Sequence, residues 1–211
     1  MTRFAGVQVG FALGLLGAVL MGPGRAEAQG REWKQAVYTQ TNDASGNAVV
    51  AFNRAPDGTL TQAGTYSTGG RGTGTGLGSQ GAVTLSKNGR FVFAVNAGSD
   101  QVSVFAVTRD GLQLLDTVAS GGDQPISVTS HERVVYVLNG GSSTIAGFNF
   151  TRGDRLTPID QGQRTLSGSA VNAAQIQFSP NGNVVAVTER ATNTISTFTI
   201  ARDGRAQGPV V

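Results

Sequence analysis

Apolar and polar positions along this chain alternate in short runs, and one arrangement of them returns four times. It is an apolar strand, a short polar loop, a second strand carrying a phenylalanine, then an acidic-glycine turn. The first two copies run Val37-Tyr38 to Phe52 to Asp57-Gly58 and Phe91-Val92-Phe93 to Phe105 to Asp110-Gly111. The other two run Val134-Val135-Tyr136 to Phe148 to Gly153-Asp154 and Val184-Val185-Ala186 to Phe198 to Asp203-Gly204. The phenylalanines stand 53, 43 and 50 residues apart. A period of about 40–50 residues with four strands per unit marks a β-propeller blade. The expected fold class is all-β, a propeller of four-stranded antiparallel blades with about four blades over residues 36–211.

Within a unit the elements follow from local pattern. In the second, Ala82 to Leu85 predicts a first strand, and Asn88-Gly89 a two-residue hairpin turn, since a type I′ turn needs positive φ at both central positions. Phe91 to Asn96 is apolar at nearly every position, which predicts a strand covered on both faces. Val102 to Val107 and Leu112 to Val118 complete the unit. The fourth unit repeats this with Asn181-Gly182 and Val184 to Thr188; the third has His131-Glu132 at the hairpin instead. The first unit starts at its second strand, which gives about fifteen strands in all. Closed rings hold about four to eight blades, so the count predicts a piece of a larger ring in preference to a closed four-bladed one.

The first 28 residues are a different kind of segment. Arg3, an apolar run from Phe4 to Gly22 and Ala26-Glu27-Ala28 predict a secretory signal peptide cut after Ala28, with residues 29–35 as a linker. An uncleaved anchor is the rival, weakened by Gln8 and the glycines. The expected location is periplasmic or secreted, with no membrane attachment after cleavage. The chain has no cysteine, so its core must stabilise it without disulfides. Cleavage would lower the formal charge from +3 to +2 by removing Arg3, Arg25 and Glu27. No run of Lys and Arg with interleaved aromatics occurs, which argues against nucleic acid and reads as a few unbalanced arginines, not a basic patch.

Alternation of strand direction sorts the connections to two rims. Tight Asn-Gly and Asp-Gly turns fall on one. The longer, more polar loops fall on the other, which is the expected binding face. That face holds Asn42, Asp43, Asn96, Asp100, Asn139, Glu189 and Arg190, with Arg71, Arg164 and Gln175 in the stretches between blades.

The hairpins Ser86-Lys87-Asn88-Gly89-Arg90 and Ser179-Pro180-Asn181-Gly182-Asn183 resemble those of the exported branch of the seven-bladed lactonase family. That family includes propeller-type 6-phosphogluconolactonase and carboxymuconate lactonizing enzyme. The strands Val102-Ser103-Val104-Phe105 and Ile195-Ser196-Thr197-Phe198, the steps ending in Asn96 and Asn139, and the glycine-rich stretch Gly69 to Gly81 carry the same likeness. The resemblance implies a seven-bladed ring, of which this chain would be roughly the N-terminal half. It implies an enzyme that hydrolyses or forms a lactone of a sugar acid or muconate-like acid, without cofactor or metal. Glu189 matches a step that some members show, which makes it the candidate general base, and Arg190 the candidate clamp for a carboxylate. Arg164, Gln175, Asn139 and Asn96 are the candidate substrate-binding residues, for a small anionic carbohydrate or organic acid. Gln80, Pro125-Ile126 and Gln175 stand where many members place a histidine. The alternative is therefore a non-catalytic exported propeller that binds a ligand, polymer or protein.

Three motifs weigh against themselves. His131, the single histidine, falls at a hairpin tip without a placed partner. Gly76 to Gly81 fits a dinucleotide fingerprint in letters, yet a strand follows where a helix is required, so a loop over the channel is expected instead. Arg152-Gly153-Asp154 occupies the turn that every other unit also has.

Overall fold

The computed structural model describes residues 36–150 and 155–211. The signal segment 1–28, the linker 29–35 and the Arg152-Gly153-Asp154 turn lie outside these residues. Fifteen strands are described, arranged as four antiparallel meanders. The first has three strands, β1 (Ala36–Gln40), β2 (Ala48–Arg54) and β3 (Leu60–Ser67). The second has β4 (Val83–Leu85), β5 (Phe91–Asn96), β6 (Gln101–Thr108) and β7 (Gly111–Ala119). The third has β8 (Pro125–His131), β9 (Val134–Asn139), β10 (Thr144–Phe150) and β11 (Leu156–Thr165). The fourth has β12 (Ala173–Phe178), β13 (Val184–Glu189), β14 (Thr194–Ile200) and β15 (Ala206–Val210).

The sheets stack as propeller blades. The first strands β4, β8 and β12 lie near one another, and the last strands β7, β11 and β15 meet on the other side. Side chains of a strand alternate between faces, so a blade held between two others must be apolar on both. That is why β5 is apolar throughout. Val92 and Ala94 join Val49, Phe105 and Leu112 between blades one and two. Phe93 and Val95 join Val104, Val135, Val137 and Phe148 between blades two and three. The next seam holds Tyr136, Leu138, Ile145, Val185, Val187 and Phe198. The Tyr136 hydroxyl donates to the Gly204 carbonyl at 2.7 Å, and burial pushes the phenol up to about 12, so it stays neutral.

Blade four ends the stack differently. Val185 and Val187 are buried, while Thr188 and Ile195 on its other face are exposed. Ile195 pairs with Thr188 as Val102 pairs with Val95 in blade two, so the same positions carry different chemistry.

A blade-joining position and the candidate functional site

The last residue of each full second strand is one equivalent position, occupied by Asn96, Asn139 and Glu189 in turn. Asn96 pairs with Gln101, Asn139 with Thr144 and Glu189 with Thr194 across the hairpin. All three side chains are buried, at 0%, 0% and 2% relative exposure. They are turned toward the preceding blade. Asn47 of blade one donates to Asn96 Oδ1 at 2.9 Å, and Asn96 donates to Ser103 Oγ at 2.7 Å. Ser103 in turn donates to the Thr68 carbonyl, where blade one exits, at 2.8 Å. Asn139 donates to the Ser120 carbonyl, where blade two exits, at 3.3 Å. Its Oδ1 is buried without a partner. The register explains the difference: the Ser103 position is Ala146 in blade three and Ser196 in blade four. The expectation that Asn96 and Asn139 touch substrate therefore meets a different geometry, because both amides are sealed inside blade joints.

Glu189 sits in a cage of hydroxyls. Ser196 Oγ donates to it at 2.5 Å, Thr192 Oγ1 at 3.1 Å and Thr194 Oγ1 at 3.3 Å. Ser167, from the loop that leaves blade three, adds both its hydroxyl and its N–H. Burial alone would raise the carboxyl's pKa; the hydroxyl and amide donors outweigh it and hold the group below the usual carboxylate range. The cage keeps the charge without a cation. It also occupies the lone pairs with which a general base would take a proton from substrate.

Arg190, the next residue, opens the turn after β13 and is exposed. Its Nε and Nη2 donate to the carbonyl and side-chain oxygens of Asn172 at 3.3 and 2.8 Å. The guanidinium lies against Gly78, with Nη2 3.3 Å from where a Cβ would stand. Arg164 lies in the outermost strand of blade three and spends Nη1 on the carbonyls of Gln161 and Gln163, both at 2.6 Å. Gln175 is half-buried on the innermost strand of blade four. The structure thus places Arg190 and Gln175 at the inner loop rim and Arg164 at the outer edge.

The glycine-rich stretch is a strap over the inner strands. Ser79 Oγ donates to the Ile126 carbonyl at 2.7 Å, and Ser127 Oγ to the Gln80 carbonyl at 2.6 Å. Gln80 N–H reaches the Ala174 carbonyl of blade four at 3.1 Å. Leu77 packs into the seams on both sides of blade three. Beneath the strap a cavity of about 700 Å³ opens toward blade one, lined by Gln40 to Ala44, Gly74 to Leu77, Ser79 and Ala82. The polar residues Gln40, Thr41 and Thr75 were not among the candidates read from sequence. Only Asn42 and Asp43 of this lining were. Among the described residues, no group of three or more His, Asp or Glu gathers closely enough to hold a metal ion.

His131 ends β8 on the turn rim, away from this cavity, with its ring 5.8 Å from that of Phe178. Its neighbour Glu132 takes the hairpin tip at φ 51°.

The stacked meanders, their joints and the strap define a β-propeller. The model of the family "Lactonase, 7-bladed beta-propeller" matches residues 34–161 and 126–207, and the chain belongs to that family. Among solved structures, a Lactobacillus plantarum protein aligns with a TM-score of 0.66 at 21% identity, over 82% of this chain and 52% of its own. The periplasmic gluconolactonase of Pseudomonas aeruginosa aligns at 0.58 and 16% identity, over 82% and 52%. A 6-phosphogluconolactonase candidate from Bacteroides uniformis aligns at 0.53 and 17%, over 84% and 68%. The chain spans about half the length of the first of these. No curated protein matches it by sequence.

Proposed function

We propose that the protein is an exported lactonase that hydrolyses or forms the ring ester of a sugar acid or muconate-like acid at its loop rim. The single observation that carries this is the family match across residues 34–207. That two solved neighbours bear gluconolactonase and 6-phosphogluconolactonase names supports the substrate class. In this reading Arg190, oriented by Asn172, offers its Nη1 edge to the substrate's carboxylate or phosphate. Gln175, on the same inner rim, meets the sugar hydroxyls. Glu189 acts as a positioning residue: its cage fixes the turn from which Arg190 projects.

The test is a panel of aldonolactones and muconate-type acids with the full chain. Arg190→Lys should raise KM while leaving kcat near its original value, since an ammonium cannot reproduce the planar fork. Loss of kcat at unchanged KM would remove Arg190 from substrate binding. Export is tested separately: the secreted product should begin at Gln29, and one that retains Met1 would mean an anchor.

A second reading rests on a specific observation. The chain's one histidine lies on the opposite rim, and its caged carboxylate is poorly placed to move protons. If no lactone turns over yet calorimetry detects aldonate binding that Arg190→Ala abolishes, the loop rim is a binding site without catalysis.

A further inference from the structure

The fold segregates charge that the linear sequence shows as scattered. Strand direction alternates, so the tight hairpins of every blade emerge on one rim. The inner hairpins bring Lys87, Arg90 and Arg133 there, beside Glu132. The outer hairpins bring Arg54 and Arg109 with Asp57 and Asp110, and Arg155, Arg202 and Arg205 with Asp203. Among the described residues those hairpins carry eight basic side chains against four acidic ones, and Asp160, bonded to Arg205, and Asp116, which accepts from the Leu156 N–H, reach the same rim from the outer strands. The loop rim has Arg71, Arg164 and Arg190 against Asp43, Asp100, Asp123 and Glu189, three against four. Arginines of different hairpins, 19 to 47 residues apart along the chain, share this rim.

The rim is also grooved. One cavity of about 320 Å³ is walled by Ser86, Lys87, Asn88, Ser130 and Glu132, between blades two and three. Another of about 550 Å³ lies between blades three and four, lined by Arg133, Arg202, Asp203, Asn149, Asn181 and Asn183. Both include Glu132, so they adjoin across one hairpin. Arg205 is engaged, by Asp160 at 3.2 Å and Asp203 at 3.4 Å.

We propose that this groove across blades two to four docks an acidic polysaccharide. Guanidinium groups suit carboxylate or sulfate oxygens bidentately. Asparagine amides, each donor and acceptor, suit the hydroxyls between those charges. A rim that repeats a basic hairpin in blade after blade meets a polymer that repeats its charge, so weak contacts add along its length. No aromatic side chain is exposed among the described residues, so base stacking is missing and nucleic acid is disfavoured. Among the described residues, the large exposed hydrophobics at the turn ends are the separated Val37, Leu60 and Leu85, too few for insertion into a bilayer. This inference is independent of catalysis at the loop rim.

The experiment measures binding of the full chain to alginate oligosaccharides, to a single-stranded DNA oligonucleotide of equal charge, and to phosphatidylglycerol vesicles, at low and physiological salt. Alginate should bind most tightly. Arg133→Glu with Arg202→Glu should weaken alginate binding about tenfold or more, because two attractions become repulsions. The loop-rim variant Arg71→Glu should change it little. Thermal melts of both variants check that each is folded. Equal loss in the two variants, or tighter binding to DNA or vesicles than to alginate, overturns the proposal. So does an alginate affinity too weak to measure at low salt.

Discussion

Glu189 shows how a buried charge can serve architecture. Four hydroxyls and one N–H surround it, so its charge is met by dipoles from two blades. Glu189→Gln keeps the shape but turns one acceptor into a donor facing that cage. It should lower stability by about 1–3 kcal/mol at pH 7, read by urea unfolding. If Glu189 were the general base, turnover of any active substrate would instead fall about 10²–10⁴-fold without loss of stability. The pH dependence follows from the lowered pKa. The contribution is fully present above the unfolded carboxyl value of about 4.3 and is lost as pH falls through the lower folded value. The gap between wild type and Glu189→Gln should therefore be widest near neutrality and narrow below about pH 4. A constant gap from pH 7 to 3 would place the charge elsewhere in the energetics.

At the scale of elements, loop backbone packs directly on loop backbone. Gly98, after β5, lies so close to the strap that a Cβ there would fall on the Gly72 carbonyl oxygen. Both contacting atoms belong to backbone, so no rotamer change relieves the overlap. Gly98→Ala should cost about 1–3 kcal/mol, whereas Gly89→Ala in the open hairpin turn meets no neighbour and should cost only its positive-φ strain. Urea midpoints of the two variants compare them directly. The strands themselves were legible in sequence because each blade states its own pattern. The double-sided apolar run of β5 is a local fact, and so is each Asn-Gly turn, although not as the two-residue type I′ turn expected: only Gly89 and Gly182 take positive φ, each inside a five-residue loop closed by Ser86 or Ser179. The joints were not legible, because Ser167 and Ser196 meet Glu189 from different blades and nothing near Glu189 announces them. A serine seven residues past the strand end, as in Asn96 to Ser103 and Glu189 to Ser196, was the one available signal. The strap was legible as a loop, but not its course across the inner strands to Ala174.

Across the whole molecule the same position means different things in different blades. Val102 is sealed between blades two and three, while its register equivalent Ile195 is 57% exposed on blade four. Val102→Thr conserves shape and should still cost about 1–3 kcal/mol, by burying a hydroxyl. Ile195→Thr should stay within about 0.5 kcal/mol of wild type. Comparable losses in the two would mean that the outer face of blade four is covered in solution. Charge, too, is a property of the assembled blades: linear counting gave a mild excess, and strand alternation turned it into a basic rim. No window of the sequence contains that rim.

The orphan oxygen of Asn139 sets an order of events. Three joints are built alike, but the one between blades two and three lacks the hydroxyl that the other two have, because Ala146 stands in the serine position. Opening should begin where a polar group loses least on meeting water. Amide hydrogens around Asn139 and Ser120 should then exchange sooner than those around Asn96 and Ser103, dividing the chain into two cooperative halves of two blades each. Ala146→Ser should slow that exchange and merge the halves into one unit. If the strands around Asn139 exchange last instead, the seam of valines and Phe148 governs the joint and the missing hydroxyl does not.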